Sequence, residues 1–402
     1  MRVGLISTRF AGMDGVSLEA AKIAPVLAAA GHDLVWLAGE LGSDFRPGLE
    51  APELHFAGAE NETLTRRAFA SNTPNPELDA TIRRRAEGLR RPIERFVADM
   101  DIDVAFVHNV LSIPMQLPFA VALTGVLHDT GLSAVAHHHD FGWEKPRFAG
   151  CAVPDILDDH FPPDLPRLRH VVINSLARAG LRERSGIEAT LLPNVLDFER
   201  GPSVTGDAGR FREAAGVGSN DIVLLQPTRV VPRKGIEATL EVAAAIGKGT
   251  VVAVTHAADR DDDYWRWLLV DAEERGVRLV YQPVSTEDDA AVRLADAFAA
   301  ADLVCFPSIQ EGFGNALVEA LWYRRPLLVN RYDVYVADIA PMGVDAVEMK
   351  GGVTDEVVDE VRALLDDPDR RRRMVDRNFE VGLEHLSHRV VRERLLPLLE
   401  DW

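Results

Sequence analysis

Two acidic residues, Glu311 and Glu319, lie eight positions apart in a segment that predicts both a loop and a helix. Residues 303–330 run from an apolar stretch through a loop with two glycines into a helical stretch and a second apolar stretch, which predicts strand, loop, helix and strand. Glu311 falls at the loop tip, where the carboxyl end of a parallel strand opens to ligands. Glu319 falls inside the helix among apolar neighbours, where an ionised carboxylate needs a partner. The pair therefore predicts a polar ligand beside the start of this helix.

The helix start next to the glycine loop is also suited to an anion. A phosphate there, with hydroxyl groups on either side for the two carboxylates, satisfies every feature, and a nucleoside diphosphate sugar has this layout. Taken alone, the pair has an ordinary alternative, in which Glu311 favours the helix dipole and Glu319 faces water. The flanking strands and a basic pair elsewhere in the chain favour the ligand.

The stretch FPSIQEGFGNALVEALWYRRP, residues 306–326, resembles the E-x7-E signature of retaining glycosyltransferases of family 4, which have the GT-B fold. The resemblance implies an α/β protein with two doubly wound, Rossmann-like domains that face a central cleft. It implies that Glu319 accepts hydrogen bonds from the ribose hydroxyls. The residues expected to hold the hexose are Glu311, Gly312, Phe313, Gly314 and Asn315. Asn315 is also predicted to be the N-cap of the helix.

A basic loop follows the first predicted strand of the second half of the chain. Residues 221–246 predict strand, loop and helix, and the loop contains Arg229 and Lys234, five positions apart. The net charge of −19 argues against a general nucleic-acid surface, so an anionic ligand requires a local positive site. In the family an arginine and a lysine at this spacing bind the donor diphosphate and stabilise the leaving group, with Arg233 close by. An ordinary exposed turn is the alternative.

The chain opens with a predicted strand, a glycine loop, a helix and a second strand, which is typical of a doubly wound domain. The loop lacks the G-x-G-x-x-G fingerprint of dinucleotide sites, which disfavours an NAD cofactor. By resemblance, Gly15 and Gly12 approach the donor phosphates, although a simple tight turn explains them equally well.

Polar residues cluster at the end of another predicted strand, in the sequence HHHDFGWEKPRF at 137–148. Successive strand residues face opposite ways, so the three histidines cannot all line one site, and a metal site would need ligands from more than one segment. The sequence therefore predicts no metal here. The family carries a His-Asp pair near the transferred sugar, and His139 and Asp140 match this pair. The resemblance therefore implies a catalytic role for His139, in addition to the catalytic roles expected of Arg229, Lys234 and Glu311. The expected acceptor-binding residues are His138, Asp140, Trp143 and Glu144, and a structural role is the alternative for the histidines.

Two domains are predicted. The sequence PNVLDFE at 193–199 resembles the interdomain hinge of the family, although the usual glycine is absent. An acceptor-side domain is expected at 1–197, joined by a C-terminal crossover helix at about 385–402, and a donor-binding domain at 198–384. The family recognises the nucleotide base near the loop after one strand of the second domain, and the resemblance therefore makes Tyr281 and Gln282, in the predicted strand 278–284, candidates for base recognition.

Composition indicates a globular protein, since 47% of the residues are hydrophobic and no apolar run approaches the ~20 residues of a membrane helix. No signal peptide is predicted before the first strand. The two cysteines, Cys151 and Cys305, are expected to be unpaired. A soluble cytoplasmic protein without nucleic-acid or membrane partners is therefore expected.

Together these features predict a hexosyltransferase that uses a nucleoside diphosphate sugar and needs no cofactor or metal, because side chains supply the cations. HHHDFGWEKPRF, PNVLDFE and EGFGNALVEALWYRRPLLVNRY are similar to a subgroup that includes mannosylglucosylglycerate synthases. This similarity implies GDP-mannose or UDP-glucose as donor and a small soluble hydroxyl acceptor, such as a sugar or glycerate derivative. The alternatives are a sugar-nucleotide epimerase on the same fold and a non-catalytic nucleotide-sugar-binding protein.

Overall fold

The computed structural model describes residues 1–12, 14–202, 205–256, 263–285 and 291–402. The chain forms two compact units: unit 1 comprises Met1–Val195 and His388–Trp402, and unit 2 comprises Leu196–Ser387. The division falls two residues before the position predicted from the sequence, and the return to unit 1 begins at His388 rather than near 385.

Unit 1 contains a sheet of seven parallel strands. They are β1 (Arg2–Ile6), β2 (Asp33–Ala38), β3 (Gly48–Glu50), β4 (Val104–His108), β5 (Ser133–His138), β6 (Leu168–Val172) and β7 (Ala189–Leu191). Their order across the sheet is β3-β2-β1-β4-β5-β6-β7. The order reverses between β1 and β4, so the loops after these two strands flank the crevice where doubly wound sheets bind ligands.

Unit 2 contains a sheet of six parallel strands. They are β8 (Ile222–Gln226), β9 (Thr250–Val254), β10 (Arg278–Tyr281), β11 (Leu303–Phe306), β12 (Leu327–Asn330) and β13 (Val347–Met349). Their order is β10-β9-β8-β11-β12-β13, which reverses between β8 and β11. The predicted doubly wound α/β class is therefore confirmed for both units.

Helices connect the strands. In chain order they are α1 (Gly15–Ala29), α2 (Ala59–Ala68), α3 (Pro76–Asp99), α4 (Leu117–Thr130), α5 (Pro154–His160), α6 (Ser175–Ser185), α7 (Ala208–Ala214), α8 (Ile236–Ile246), α9 (Asp263–Glu274), α10 (Leu294–Ala300), α11 (Asn315–Trp322), α12 (Asp355–Asp366), α13 (Pro368–His385), α14 (His388–Arg394) and α15 (Leu396–Glu400). No helix within the described ranges combines the length and the apolar composition that crossing a bilayer needs.

The core of unit 1 lies on both faces of its sheet. Along β4, Ala105 and Val107 pack into one cluster with α2, α3, α4 and α5, whereas Val104 and Phe106 pack into another with α1, α14 and α15. Burial on both faces is the usual state of a parallel sheet and accounts for the apolar strand sequences. It leaves the carboxyl ends of the strands as the place for polar side chains.

The last residues of the chain complete the core of unit 1. The C-terminal helix predicted at about 385–402 is two short helices, α14 and α15, and the side chains of Val391, Leu395 and Leu399 are fully buried there.

In unit 2, Leu224, Val252, Cys305 and Leu328 form one core cluster with residues of α8 and α12. Both cysteine thiols, Cys151 and Cys305, are free in the described structure, as the sequence predicts.

Candidate active site

Unit 2 brings two of its predicted donor residues together where β8 and β11 lie side by side. Lys234 follows β8 and Glu311 follows β11, and the strand order reverses between these two strands. Loops at such a reversal form the ligand crevice of doubly wound sheets. Two residues 77 positions apart in the chain therefore meet at the expected edge.

Lys234 and Glu311 form a nearly buried ion pair. The Lys234 ammonium donates a hydrogen bond to Oε1 of Glu311, and Nη1 of Arg233 donates to Oε2 at 3.2 Å. The side chains of Lys234 and Glu311 are only 10% and 9% exposed. Burial lowers the pKa of Lys234, and the attraction of Glu311 acts against that shift. Opposite charges are thus held close together at the strand ends.

Buried polar contacts fix the turn that carries Lys234. Gln226 Nε2, at the end of β8, donates to the backbone carbonyl of Lys234 at 2.8 Å, and Gln226 Oε1 accepts from Thr239 Oγ1 at 2.6 Å. Gly235 adopts φ 63°, and a Cβ at this position would lie 2.7 Å from the carbonyl oxygen of Pro307. A residue with a side chain would be strained and would clash there, so the turn after Lys234 requires glycine.

Arg229 and His256 lie close to Lys234. Arg229 is exposed and forms no ion pair within the part of the chain that the structure describes. Burial, together with the positive charges of Lys234 and Arg229, lowers the pKa of His256 to about 4. Thr255 Oγ1 lies 3.0 Å from Nδ1 of His256. The sequence analysis missed His256, although a histidine just after the apolar, strand-like run 250–254 was a usable signal.

The glycine loop before α11 is held by Tyr332, which the sequence analysis also missed. The Tyr332 hydroxyl donates to the backbone carbonyl of Phe313 at 2.5 Å. Gly314 has φ 121°, and a Cβ there would lie 2.8 Å from the Tyr332 hydroxyl. Gly314 occupies the N-cap position, and Asn315 is the first helical residue, so the predicted Asn315 N-cap is wrong by one residue. The positive φ explains why glycine takes this position.

The other predicted donor residues of unit 2 are more dispersed. Glu319 is half-buried in α11. The pKa of Tyr323 is raised mainly by the burial of Tyr323 itself and next by the negative charge of Glu319. Gln282 follows the edge strand β10, and its side-chain amide donates to the carbonyl of Pro283 at 3.0 Å. Two strands, β9 and β8, separate β10 from β11. The structure therefore places Gln282 well along the sheet edge from Glu311.

In unit 1 the loop after β1 leads into α1 through Asp14. Asp14 Oδ1 accepts hydrogen bonds from the backbone N–H groups of Val16 and Ser17, both at 3.0 Å, and Arg9 donates to Oδ2 at 2.9 Å. Gly15 is the first helical residue, and a Cβ there would meet none of the described atoms within 4 Å. Space for a ligand exists beside Gly15, but the Asp14 carboxylate already uses the first helical N–H groups, and Gly15 as a donor contact stays a prediction.

The three consecutive histidines divide between the two faces of β5, as the strand alternation predicts. The ring of His138 is fully buried, with Nε2 2.9 Å from Nδ1 of His170 and Phe141 packed beside it. His137 and His139 lie on the other side, with ring centroids 4.2 Å apart, close to His108 of β4. The predicted acceptor contact of His138 is therefore not supported by this arrangement, because its ring is enclosed.

The remaining residues of the predicted acceptor group have partners within unit 1. Lys145 donates to Asp140 at 2.6 Å, and the Glu144 carboxylate accepts the backbone N–H of Phe141 at 2.9 Å. Burial raises the pKa of Glu144. One face of Trp143 stacks on Phe141, with centroids 4.2 Å apart. These contacts rigidify the loop, and the acceptor roles of these residues stay predictions.

Comparison with known proteins assigns the chain to a family. Residues 207–381 match the family described as Glycosyl transferases group 1. The chain is 30% identical to a mannosylglucosylglycerate synthase of Thermotoga maritima, over 96% of this chain and 97% of that relative. The chain belongs to this glycosyltransferase family. A mannosylglucosylglycerate synthase of Petrotoga mobilis is 29% identical to the transferase, over 87% of this chain and 86% of its own length.

A solved structure supports the fold of the transferase. The crystal structure of Anabaena Alr3699/HepE in complex with UDP and glucose matches it with a TM-score of 0.67 and 15% identity, over 98% of this chain and 97% of that one. The predicted GT-B fold is confirmed. The matched family region of the transferase contains the Lys234–Glu311 pair, Arg229 and Glu319.

Proposed function

We propose that this glycosyltransferase moves a hexosyl group from a nucleoside diphosphate sugar, of the GDP-mannose or UDP-glucose type, to a hydroxyl of a small soluble acceptor such as a sugar or glycerate derivative. The observation that carries the proposal is the Lys234–Glu311 pair at the strand reversal of unit 2. The relatives are named for synthesis of a mannosyl-glucosyl-glycerate, which supports the acceptor class. The UDP and glucose of the Alr3699/HepE structure support the donor class.

In the proposed reaction Lys234 and Arg229 bind the diphosphate of the donor. The diphosphate competes with Glu311 for the Lys234 ammonium, and the displaced carboxylate accepts hydrogen bonds from the hexose hydroxyls. As the bond between the sugar and the phosphate oxygen breaks, negative charge grows on that oxygen. Cations fixed nearby stabilise this charge more in the transition state than in the ground state, which accelerates the reaction. Because side chains supply the positive charge, the reaction needs no cofactor.

We also propose that the transfer retains the anomeric configuration. The leaving phosphate takes the proton of the acceptor hydroxyl on the face from which it departs, and the acceptor oxygen bonds to the anomeric carbon on that same face. His139 is assigned a hydrogen bond to a sugar hydroxyl. Burial lowers the pKa of His139 to about 4, so the ring is neutral at neutral pH and suits a hydrogen bond with a hydroxyl group.

The proposal is tested by incubating the purified chain with GDP-mannose or UDP-glucose and a panel of acceptors that includes glycerate, glucose and glucosylglycerate. Release of free nucleoside diphosphate should require donor and acceptor together. The anomeric configuration of the transferred sugar, determined by NMR, should be the same in the product as in the donor. A donor converted without acceptor would instead indicate an epimerase. Nucleotide-dependent thermal stabilisation without turnover on any acceptor would indicate a binding protein.

A further inference from the structure

Three histidines of unit 1 converge from two neighbouring strands. His108 is the last residue of β4 and lies opposite His137 of β5 in the strand register, and His139 follows β5 on the same face as His137. One ring nitrogen from each of the three lies within 4.8 Å of the other two. The exposed fractions of His108, His137 and His139 are 0%, 2% and 8%. A metal site needs ligands from more than one segment, and three consecutive histidines alone do not provide this. Here β4 supplies His108, so the ligands come from two strands.

The histidine cluster, which comprises His108, His137 and His139, contains buried ring nitrogens without a hydrogen-bond partner in the part of the chain that the structure describes. Both ring nitrogens of His137, and Nε2 of His108, are buried without a hydrogen-bond partner among the residues that the structure describes. Buried polar atoms in native proteins nearly always have a partner, and an unmet one calls for an explanation such as an ion. The adjacent His138 has one ring nitrogen paired, 2.9 Å from Nδ1 of His170 on the opposite face, whereas neither ring nitrogen of His137 has a partner among the described residues.

The distances within the cluster suit a coordinated ion better than direct hydrogen bonds. Nδ1 of His108 and Nε2 of His139 are 3.4 Å apart, which is long for a hydrogen bond. Two imidazole nitrogens on one tetrahedral zinc ion, each about 2.0–2.1 Å from the metal, would be roughly 3.3 Å apart. The three candidate ligand atoms all lie within 4.8 Å of one another, so binding of one ion requires the longer distances to shorten towards this value.

We propose that His108, His137 and His139 bind one divalent transition-metal ion of the zinc type through their imidazole nitrogens. Imidazole ligands favour zinc, copper, nickel and cobalt, whereas magnesium and calcium prefer oxygen. Three protein ligands leave a fourth position for water. The ion ties the end of β4 to the end of β5. The site shares His139 with the proposed transfer reaction, but the two proposals are tested by different measurements: zinc binding for the site and release of nucleoside diphosphate for the transfer.

The site is tested on the full chain after removal of any affinity tag and treatment with a chelator. Equilibrium dialysis against zinc chloride followed by elemental analysis should give one bound ion per chain, and magnesium chloride should give none. His108→Gln and His137→Gln, which remove ligands from different strands, should each weaken zinc binding by at least about tenfold. His138→Gln is the matched control, because it changes a buried histidine of the same strand outside the cluster, and it should bind zinc as the unaltered chain does.

Spectroscopy of the unaltered chain keeps the proposal testable if a ligand variant does not fold. X-ray absorption of the zinc-loaded chain should show nitrogen ligands at about 2.0–2.1 Å with the scattering signature of imidazole. The proposal is overturned if the unaltered chain binds no zinc, if the bound zinc shows an oxygen-only shell, or if folded His108→Gln and His137→Gln variants bind as tightly as His138→Gln.

Discussion

At the carboxyl edges of the two sheets, the polar side chains at the ends of adjacent strands differ in charge. In unit 2 the strand reversal carries full charges, with Lys234 paired to Glu311 and Arg229 exposed nearby. In unit 1 the adjacent strands β4 and β5 end in the histidine cluster, and burial lowers the pKa of each of the three rings, so all are neutral at neutral pH. The charged pair of Arg9 and Asp14 lies in the loop after β1 instead. The same doubly wound topology thus fixes where a site lies, while the side chains at the strand ends decide which ligand it suits.

The largest effect is expected from removing charge in unit 2. Lys234→Ala should lower kcat/KM by about 10²–10³-fold, because a fixed cation no longer stabilises the leaving diphosphate. Glu311→Ala should cause a loss of similar size, since the hexose loses its carboxylate partner. Both are measured as release of nucleoside diphosphate in the presence of acceptor.

Lys248→Ala is the control for these variants, because Lys248 is an exposed lysine of the same unit. It should leave kcat/KM unchanged, and circular dichroism should show that all three variants are folded. Normal rates in both Lys234→Ala and Glu311→Ala would remove the contrast between a charged and a neutral edge.

A smaller effect is expected at His256, which is the neutral residue of the charged edge. His256→Gln should raise KM for the donor by about tenfold with a lesser change in kcat, because a polar group next to both cations contacts the donor in ground and transition states alike. Steady-state kinetics with varied donor provide the measurement. A change in kcat alone would show that His256 acts in the chemical step instead.

Tyr332→Phe should have a smaller effect still. Loss of the hydroxyl removes one hydrogen bond to the Phe313 carbonyl and relaxes the glycine loop, which should lower kcat by a few-fold and stability by about 1 kcal/mol. Urea unfolding and initial rates give the two values. If stability falls while kcat stays constant, the hydroxyl supports the fold and does not position the loop.

The smallest expected effect is on the pH dependence of the free energy of unfolding, through His256 in unit 2. The pKa of His256 is lowered to about 4 in the folded chain, against about 6.5 in an unfolded one, so the unfolded state binds the proton first. The contribution of His256 to stability is complete above about pH 6.5. It is lost as the pH falls towards 4, at no more than about 1.4 kcal/mol per pH unit. Urea unfolding near pH 7, 6 and 5 should therefore show a shallower decline for His256→Gln, and parallel curves would contradict the assignment.

Local sequence was enough to predict the parts of the site that lie within one strand-loop-helix unit. The positions of Lys234 and Glu311 follow from the rule that parallel strands end at the same sheet edge, and the structure pairs them. His108 and Tyr332 were missed because their partners are supplied by strand pairing and by a contact between separate loops, which no local spacing reveals. The acceptor contact assigned to His138 rested on resemblance, and the alternation of β5 turns its ring into the core.

Helices α14 and α15 have a consequence for the order in which the chain acquires its structure. Ribosomal synthesis runs from the N-terminal to the C-terminal side, so every strand of the first sheet emerges before any strand of unit 2, whereas Val391, Leu395 and Leu399 emerge after unit 2. Until then the face of the nascent sheet on which they pack lacks the side chains of α14 and α15 and is covered only in part, by α1. Unit 1 therefore cannot complete its core until unit 2, which is inserted between its two segments, has been synthesised.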